Sequence, residues 1–284
     1  MLDRTTGGPP GQGRRLYFGA GGRVITAEIC NAALQDLTRR LFPHYEIPPP
    51  GSGFSGPPDV RVEEGPNGYL VATGDEPSVV CGTEVEMLAT LEFALTRAIV
   101  ASWGDHIHLH ASGAVVNGQA VLALGRSGAG KSSLAVSWLS QGLKTLGDDI
   151  VFVNSAAMAM PFRRFFKVAP ETLRNLGIDP ATTFQWDSGW PEAWYAPDDG
   201  PGWATEAPVA VLAFVQYYPR SALSMTPLSK PDALNSLVHS LMDTGKRASE
   251  CFDTLLRLVE NARVLRVEYP SADEAAKALC SLTI

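Results

Sequence analysis

Short runs rich in apolar, aromatic and β-branched residues at Leu16–Phe18 and Arg23–Thr26 predict two strands. The period then changes, and Cys30, Ala33, Leu34, Leu37 and Leu41 recur at the spacing of a helix. The segment PHYEIPPPGSGFSGPPD, Pro43–Asp59, holds too much Pro and Gly for regular structure and reads as a linker or long surface loop. Three further strands are expected at Val60–Glu63, Tyr69–Thr73 and Ser78–Cys81. A helix follows from about Glu84 to Ser102, with Val85, Leu88, Leu91, Leu95 and Ile99 on one face. Residues 1–103 therefore read as a small α+β N-terminal module.

From Ile107 the pattern is of another kind. His110–Val116 and Gln119–Leu124 read as two strands joined by Asn117-Gly118, a strong two-residue hairpin signal. A helix over about Lys131–Gln141 comes next, then an extended run, Lys144–Val153, interrupted by Asp148-Asp149. Strand, helix, strand is a βαβ unit, so Gln119–Leu124 and the run after the helix should be parallel neighbours. Gln185–Trp203 crowds Trp with Pro, Gly and Asp and reads as a lid or binding loop. Val209–Tyr217 is a strand, helices begin near Asp232 and Ala248, Val264–Glu268 is a strand, and a last helix starts at Ser271. These elements make residues 104–284 a second, α/β domain.

Composition narrows the field. The chain has 284 residues, 45% hydrophobic and 19% charged, which is enough apolar material for one large or two smaller cores. A net charge of −7 argues against a nucleic-acid surface. Met1–Arg15 has no apolar segment resembling a signal peptide, and no later run approaches the roughly 18 residues of a spanning helix, so a cytoplasmic protein without membrane contact is expected. Cys30, Cys81, Cys251 and Cys280 lie far apart and form no metal-binding spacing; they read as small hydrophobes in a reducing compartment.

The strongest chemical signal is GRSGAGKS, Gly125–Ser132, which fits GxxxxGK[ST] between a strand and a helix. In such a loop the glycines let backbone N–H groups wrap phosphates, Lys131 reaches the β and γ oxygens, Ser132 offers a hydroxyl to Mg²⁺, and the helix dipole adds to the field. In a two-residue hairpin facing residue numbers share a constant sum, which places His110 opposite Gly125, with His108 on the same face but farther off. Asp148-Asp149 should reach the same edge. Neighbouring carboxylates on extended backbone point to opposite faces, so that one can serve Mg²⁺ and the other a substrate hydroxyl. The basic residues of MPFRRFFKVAP, Arg163, Arg164 and Lys167, could neutralise a transferring phosphoryl group or bind an anionic substrate.

Two Asp and a His beside such a loop suit a kinase better than a hydrolase, because a carboxylate can accept the proton of an attacking hydroxyl. A nucleotide-hydrolysing regulatory switch is the alternative from another class. Ser229-Lys-Pro-Asp232 comes near a guanine-specificity NKxD but lacks its Asn, and reads as a helix cap.

His110-Ala-Ser-Gly, GRSGAGKSSLA and Gly147-Asp148-Asp149, in this order, resemble the C-terminal catalytic domain of HPr kinase/phosphorylase and its relatives. The likeness is firm over about Ile107–Val153. It implies a P-loop kinase domain of the HPr kinase type, a mixed sheet with a hairpin preceding the P-loop. It implies His110 and Asp149 as the catalytic pair with Lys131, Asp149 taking the seryl proton. Gly125, Arg126, Ser127, Gly128, Ala129, Gly130, Lys131, Ser132 and Ser133 would bind nucleotide, and Ser132 and Asp148 the metal. ATP and Mg²⁺ are the implied cofactors, and a peptide or protein Ser/Thr the acceptor. Bacterial members carry Glu where this chain has Ser133. Pro161–Lys167 looks more like the divergent members found with ribosomally made peptides, including lasso-peptide tailoring kinases that phosphorylate a precursor serine. A small hydroxylated metabolite such as free serine is the nearest alternative acceptor. Bacterial HPr kinases are hexamers, which raises a homo-oligomer here.

Overall fold

A computed structural model of the chain describes residues 14–51, 56–74, 76–180, 183, 192–197, 202–242 and 248–283. It is a mixed α/β structure that divides into two compact units, residues 1–104 and 105–284.

The first unit is built on a five-stranded sheet in the order β1-β2-β3-β4-β5. Strands β1 (Arg14–Ala20) and β2 (Arg23–Ile29) form a hairpin, helix α1 (Ala32–Leu41) follows, and β3 (Val60–Gly65) pairs parallel to β2. Strands β4 (Gly68–Thr73) and β5 (Val79–Cys81) continue the sheet antiparallel. Helix starts follow capping chemistry: the Asn31 side chain accepts the Leu34 N–H, and Thr83 accepts the Glu86 N–H at the start of α2 (Glu84–Ser102). Leu88, Leu91, Leu95 and Ile99 of α2 are buried, on the face their spacing predicts.

The Pro-rich stretch after α1 departs from a free linker at both ends. The Gly19 N–H donates to the Tyr45 carbonyl at 2.7 Å, and the Ile47 N–H to that of Tyr17 at 2.9 Å, so this chain continues the β1 edge. At the other end an Asp59 carboxylate oxygen accepts the Thr26 N–H at 2.8 Å and the Thr26 hydroxyl at 3.0 Å. Backbone groups beside a sheet edge seek partners whatever the local propensity.

The second unit carries a nine-stranded sheet among the described residues. Strands β6 (Ile107–Leu109), β7 (Ala111–Val116) and β8 (Gln119–Leu124) lead to helix α3 (Lys131–Ser140). Then come β9 (Lys144–Gly147), β10 (Val151–Val153), β11 (Met158–Pro161), β12 (Phe166–Val168), α4 (Pro170–Asn175) and β13 (Ala193–Tyr195). The remainder is β14 (Ala207–Tyr217), β15 (Ser224–Pro227), α5 (Lys230–Val238), α6 (Ala248–Asn261), β16 (Arg263–Tyr269) and α7 (Ala272–Cys280).

The order is β6-β10-β11-β14-β8-β7-β9, with β16 beside β14 and β15 beside β16. The expected parallel pairing of β8 with the strand after α3 is not made. Strand β7 lies between β8 and β9 and pairs antiparallel with both, so the tight hairpin claims that edge of β8 first. The parallel partners of the loop-bearing strand come from later in the chain: β14 pairs parallel with β8, and β16 with β14.

Alternation along these strands sends side chains into two cores. Val121 and Ala123 face Leu134, Trp138, Ala276 and Leu279 of α3 and α7. Leu122 and Leu124 face the opposite side with Leu237 of α5 and Leu255 and Leu258 of α6. Helices on both faces explain why β14 reads APVAVLAFVQY, a nearly continuous apolar run. Among the described residues no helix is long and apolar enough to cross a membrane.

Candidate functional site

Hairpin β7–β8 fixes the first part of the site. Val116 pairs with Gln119 and Ala111 with Leu124, the register the Asn117-Gly118 turn predicts. The strand expected to start at His110 breaks there: the His110 N–H leaves the sheet and donates to the Ser240 carbonyl at 2.7 Å. His110 thus lies just beyond the last registered pair, Ala111–Leu124, at the strand end. His108 belongs to β6 and is buried edge-on against Phe152, with ring centroids 5.1 Å apart, in a packing role.

The loop from Gly125 to Gly130 has the backbone its glycines permit. Gly128 and Gly130 take φ values of 80° and 94°, where a β-carbon is disfavoured, and a β-carbon on Gly130 would also run into the Tyr269 hydroxyl. Arg126, Ser127 and Gly128 are exposed at the tip, Ala129 is buried, and Ser132 and Ser133 are half-buried in the first turn of α3. The Lys131 side chain is buried, and its ammonium donates to the carbonyls of Gly125 at 2.9 Å and Arg126 at 3.2 Å. Burial pulls its pKa down, and the nearby charges of Asp149 and Asp148 oppose that pull.

Asp148 and Asp149 sit in the bend between β9 and β10. The expected extended backbone is not found there, because Asp149 adopts the left-handed conformation at φ 68°. The two carboxylates have different partners. Asp148 is buried and accepts the Ser112 hydroxyl at 2.5 Å, with a further hydrogen bond from the Ser132 side chain. Burial, then the charge of Asp149, raises its pKa to about 6. Asp149 is half-buried. His110 Nε2 faces its Oδ1 at 3.3 Å, and an Arg164 guanidinium nitrogen faces its Oδ2 at 3.3 Å. Because an ionised carboxylate only accepts, Nε2 is the donor to it. Burial would raise this carboxyl, but the His110 hydrogen bond and the charges of Arg164, His110 and Lys131 prevail and hold it near 2.

The three basic residues of the Pro161–Lys167 segment separate. Arg164 reaches Asp149 and lies over the Phe162 ring, 5.6 Å from its centroid. Lys167 is on β12, with its ammonium 5.2 Å from the centroid of the Trp194 ring. Arg163 is half-buried in the connection between β11 and β12. Residues 185–191 and 198–201 of the expected Trp-rich lid lie outside the described residues. Within it, Ala193–Tyr195 form β13 rather than loop, and Trp203 is buried, edge-on to Phe166.

Two supports of the site were given no role in the sequence reading. Ser112, two residues after His110, is the hydroxyl that holds Asp148. Tyr269, at the end of β16, is buried and donates its hydroxyl to the Ala129 carbonyl at 3.1 Å. Strand alternation puts Ser112 on the same side as His110, but the β9–β10 bend that brings Asp148 to it is a tertiary event.

Among the described residues no group of three or more His, Cys, Asp and Glu could cage a metal ion. The Ser132 hydroxyl and the Asp148 carboxylate nevertheless fit Mg²⁺, which takes hard oxygen donors and is often held by one or two protein groups plus substrate phosphates. No family model matches the chain, and no curated protein is similar to it in sequence.

Proposed function

We propose that the chain is an ATP- and Mg²⁺-dependent P-loop kinase of the HPr kinase type that phosphorylates a Ser/Thr hydroxyl of a peptide or protein. The observation that carries this reading is the Asp149 carboxylate, bridged by His110 and Arg164 beside the glycine loop whose Lys131 feels its charge. Nucleotide phosphates would lie along the backbone N–H groups of residues 125–133 at the start of α3. Ser132 and Asp148 would hold Mg²⁺, which would supply positive charge to offset that of the phosphates.

Asp149, ionised throughout the working pH range, would accept a hydrogen bond from the acceptor hydroxyl and point its oxygen at the γ-phosphorus. As the O–P bond forms, the hydroxyl proton passes to the carboxylate and ADP departs. A carboxyl held near 2 is a weak base. In a loose transition state the attacking oxygen has made little bond and keeps most of its proton, so orientation counts for more than basicity. His110 fixes the carboxylate rotamer. Arg164, paired with Asp149, would offset charge on the transferring group.

The acceptor class follows from the resemblance over Ile107–Val153 and Pro161–Lys167, which favours a ribosomal peptide precursor of the lasso type over free serine. The test is a transfer assay with γ-labelled ATP and Mg²⁺, offering a lasso precursor peptide, free serine and HPr in parallel, read by intact mass. A gain of one phosphate on the peptide is expected. ADP formed with no labelled acceptor would instead favour a nucleotide-hydrolysing switch.

A further inference from the structure

Strands β8, β14 and β16 run parallel, and the ends of the latter two overshoot the first. Leu124, the last residue of β8, is level with Phe214 of β14, whereas β14 and β16 continue in register to the pair Tyr217 and Tyr269. Three residues of strand raise these tyrosines about 10 Å above the point where β8 turns into the glycine loop. They form a wall beside the loop. The two rings lie 5.9 Å apart and are tilted by 55°. Tyr269 is the inner member, buried and bonded to the Ala129 carbonyl. The Tyr217 N–H donates to the same carbonyl at 3.1 Å, and its Cβ comes within 3.3 Å of where a β-carbon on Gly130 would be.

Tyr217 is nonetheless 43% exposed, an unusual position for an aromatic ring at the end of a core strand against a loop of small residues. Its backbone and one side are fixed to the phosphate-binding segment, and the rest of it faces solvent. Ligands of open α/β sheets gather outside the carboxyl ends of the parallel strands, and a flat ring held there offers a stacking surface to a heterocycle. Tyr218, 48% exposed, hydrogen-bonds the Tyr269 carbonyl through its own N–H at 2.9 Å and so follows the chain away from the Ala129 carbonyl.

We propose that the exposed ring of Tyr217 is the platform on which the purine base of the bound nucleotide stacks, next to the loop that takes its phosphates. This rests on the reading of Gly125–Ser133 as a nucleotide phosphate site, and it adds the residue that distinguishes a nucleoside triphosphate from triphosphate alone. The Tyr217 hydroxyl is not required, because the ring face makes the contact.

The experiment compares ATP with inorganic tripolyphosphate, both with Mg²⁺, by calorimetric titration of the full chain. Tyr217→Ala should weaken ATP binding roughly tenfold or more and leave tripolyphosphate within about twofold. Tyr217→Phe should bind ATP like wild type, and Tyr218→Ala should stay within about threefold. Equal ATP affinity in wild type and Tyr217→Ala would overturn the platform. So would an equal loss of tripolyphosphate, which would make Tyr217 a support of the loop. Lys131→Ala separates the two layers of the argument, as it should lose both ligands. A wild-type protein that binds neither ligand would remove the phosphate site and the platform together.

Discussion

Asp149 and Asp148 are adjacent carboxylates driven to opposite titration behaviour by their partners. Asp149 is pulled down by a hydrogen bond from His110 and by the charge of Arg164, while Asp148 is pushed up by burial despite the hydroxyls of Ser112 and Ser132. His110→Ala should remove the hydrogen bond that sets the Asp149 rotamer and lower transfer roughly tenfold to a hundredfold, with nucleotide affinity within about threefold. Titration of both variant and wild type with ATP, beside their transfer rates, checks this, and loss of binding in the variant would contradict the separation of roles. A carboxyl whose folded pKa is raised contributes stability fully present below its unfolded value, 3.8, and lost as pH rises through about 6. In metal-chelating buffer, wild type should therefore lose stability relative to Asp148→Asn between pH 4 and 7, by about 2 kcal/mol. Urea midpoints across that window measure it, and a constant difference would contradict a buried Asp148 with a raised pKa.

The glycine loop takes its shape from strands distant in sequence. The Tyr269 hydroxyl and the Tyr217 N–H both end on the Ala129 carbonyl, so the last parallel strand braces a loop that begins on β8. Tyr269→Phe should cost about 1 kcal/mol of stability and weaken nucleotide binding severalfold through a looser loop, measurable by chemical denaturation and titration. Gly130→Ala combines a φ of 94° with a collision against that hydroxyl, and should abolish nucleotide binding. Binding at wild-type affinity would refute the loop geometry. Much of this element was legible in advance: the Asn117-Gly118 turn fixes the β7–β8 register, which runs to Ala111–Leu124 and leaves His110 just past the strand end. The parallel neighbours were not legible, because strand order is decided by competition for an edge. Strand β7, two residues away through a tight turn, wins the side of β8 that a βαβ reading assigns to β9, and β14 arrives from far along the chain to take the other. Arg164 was visible only as one of three basic residues; the β9–β10 bend and the left-handed Asp149 that meet it have no local signature. Tyr269 was invisible, since a strand-end tyrosine declares nothing about a carbonyl on another strand.

On the proposed reading, the second unit would take its ligands at one end of a sheet that has helices packed on both faces. Binding energy at that end is coupled to folding by mass action. ATP with Mg²⁺ at about a hundred times its Kd should stabilise the protein by about 2.7 kcal/mol, seen as a rise in Tm; chelating the metal should shrink the shift, and Lys131→Ala should erase it. A shift that survives Lys131→Ala would place the nucleotide elsewhere. The central claim, that Asp149 directs an acceptor hydroxyl at a nucleotide held by the loop, is tested most directly by single-turnover transfer from γ-labelled ATP to the precursor peptide with wild type and Asp149→Asn side by side. The account predicts retained ATP binding in the variant with transfer slowed about 10²- to 10⁴-fold. Transfer at near wild-type rate by Asp149→Asn would contradict it.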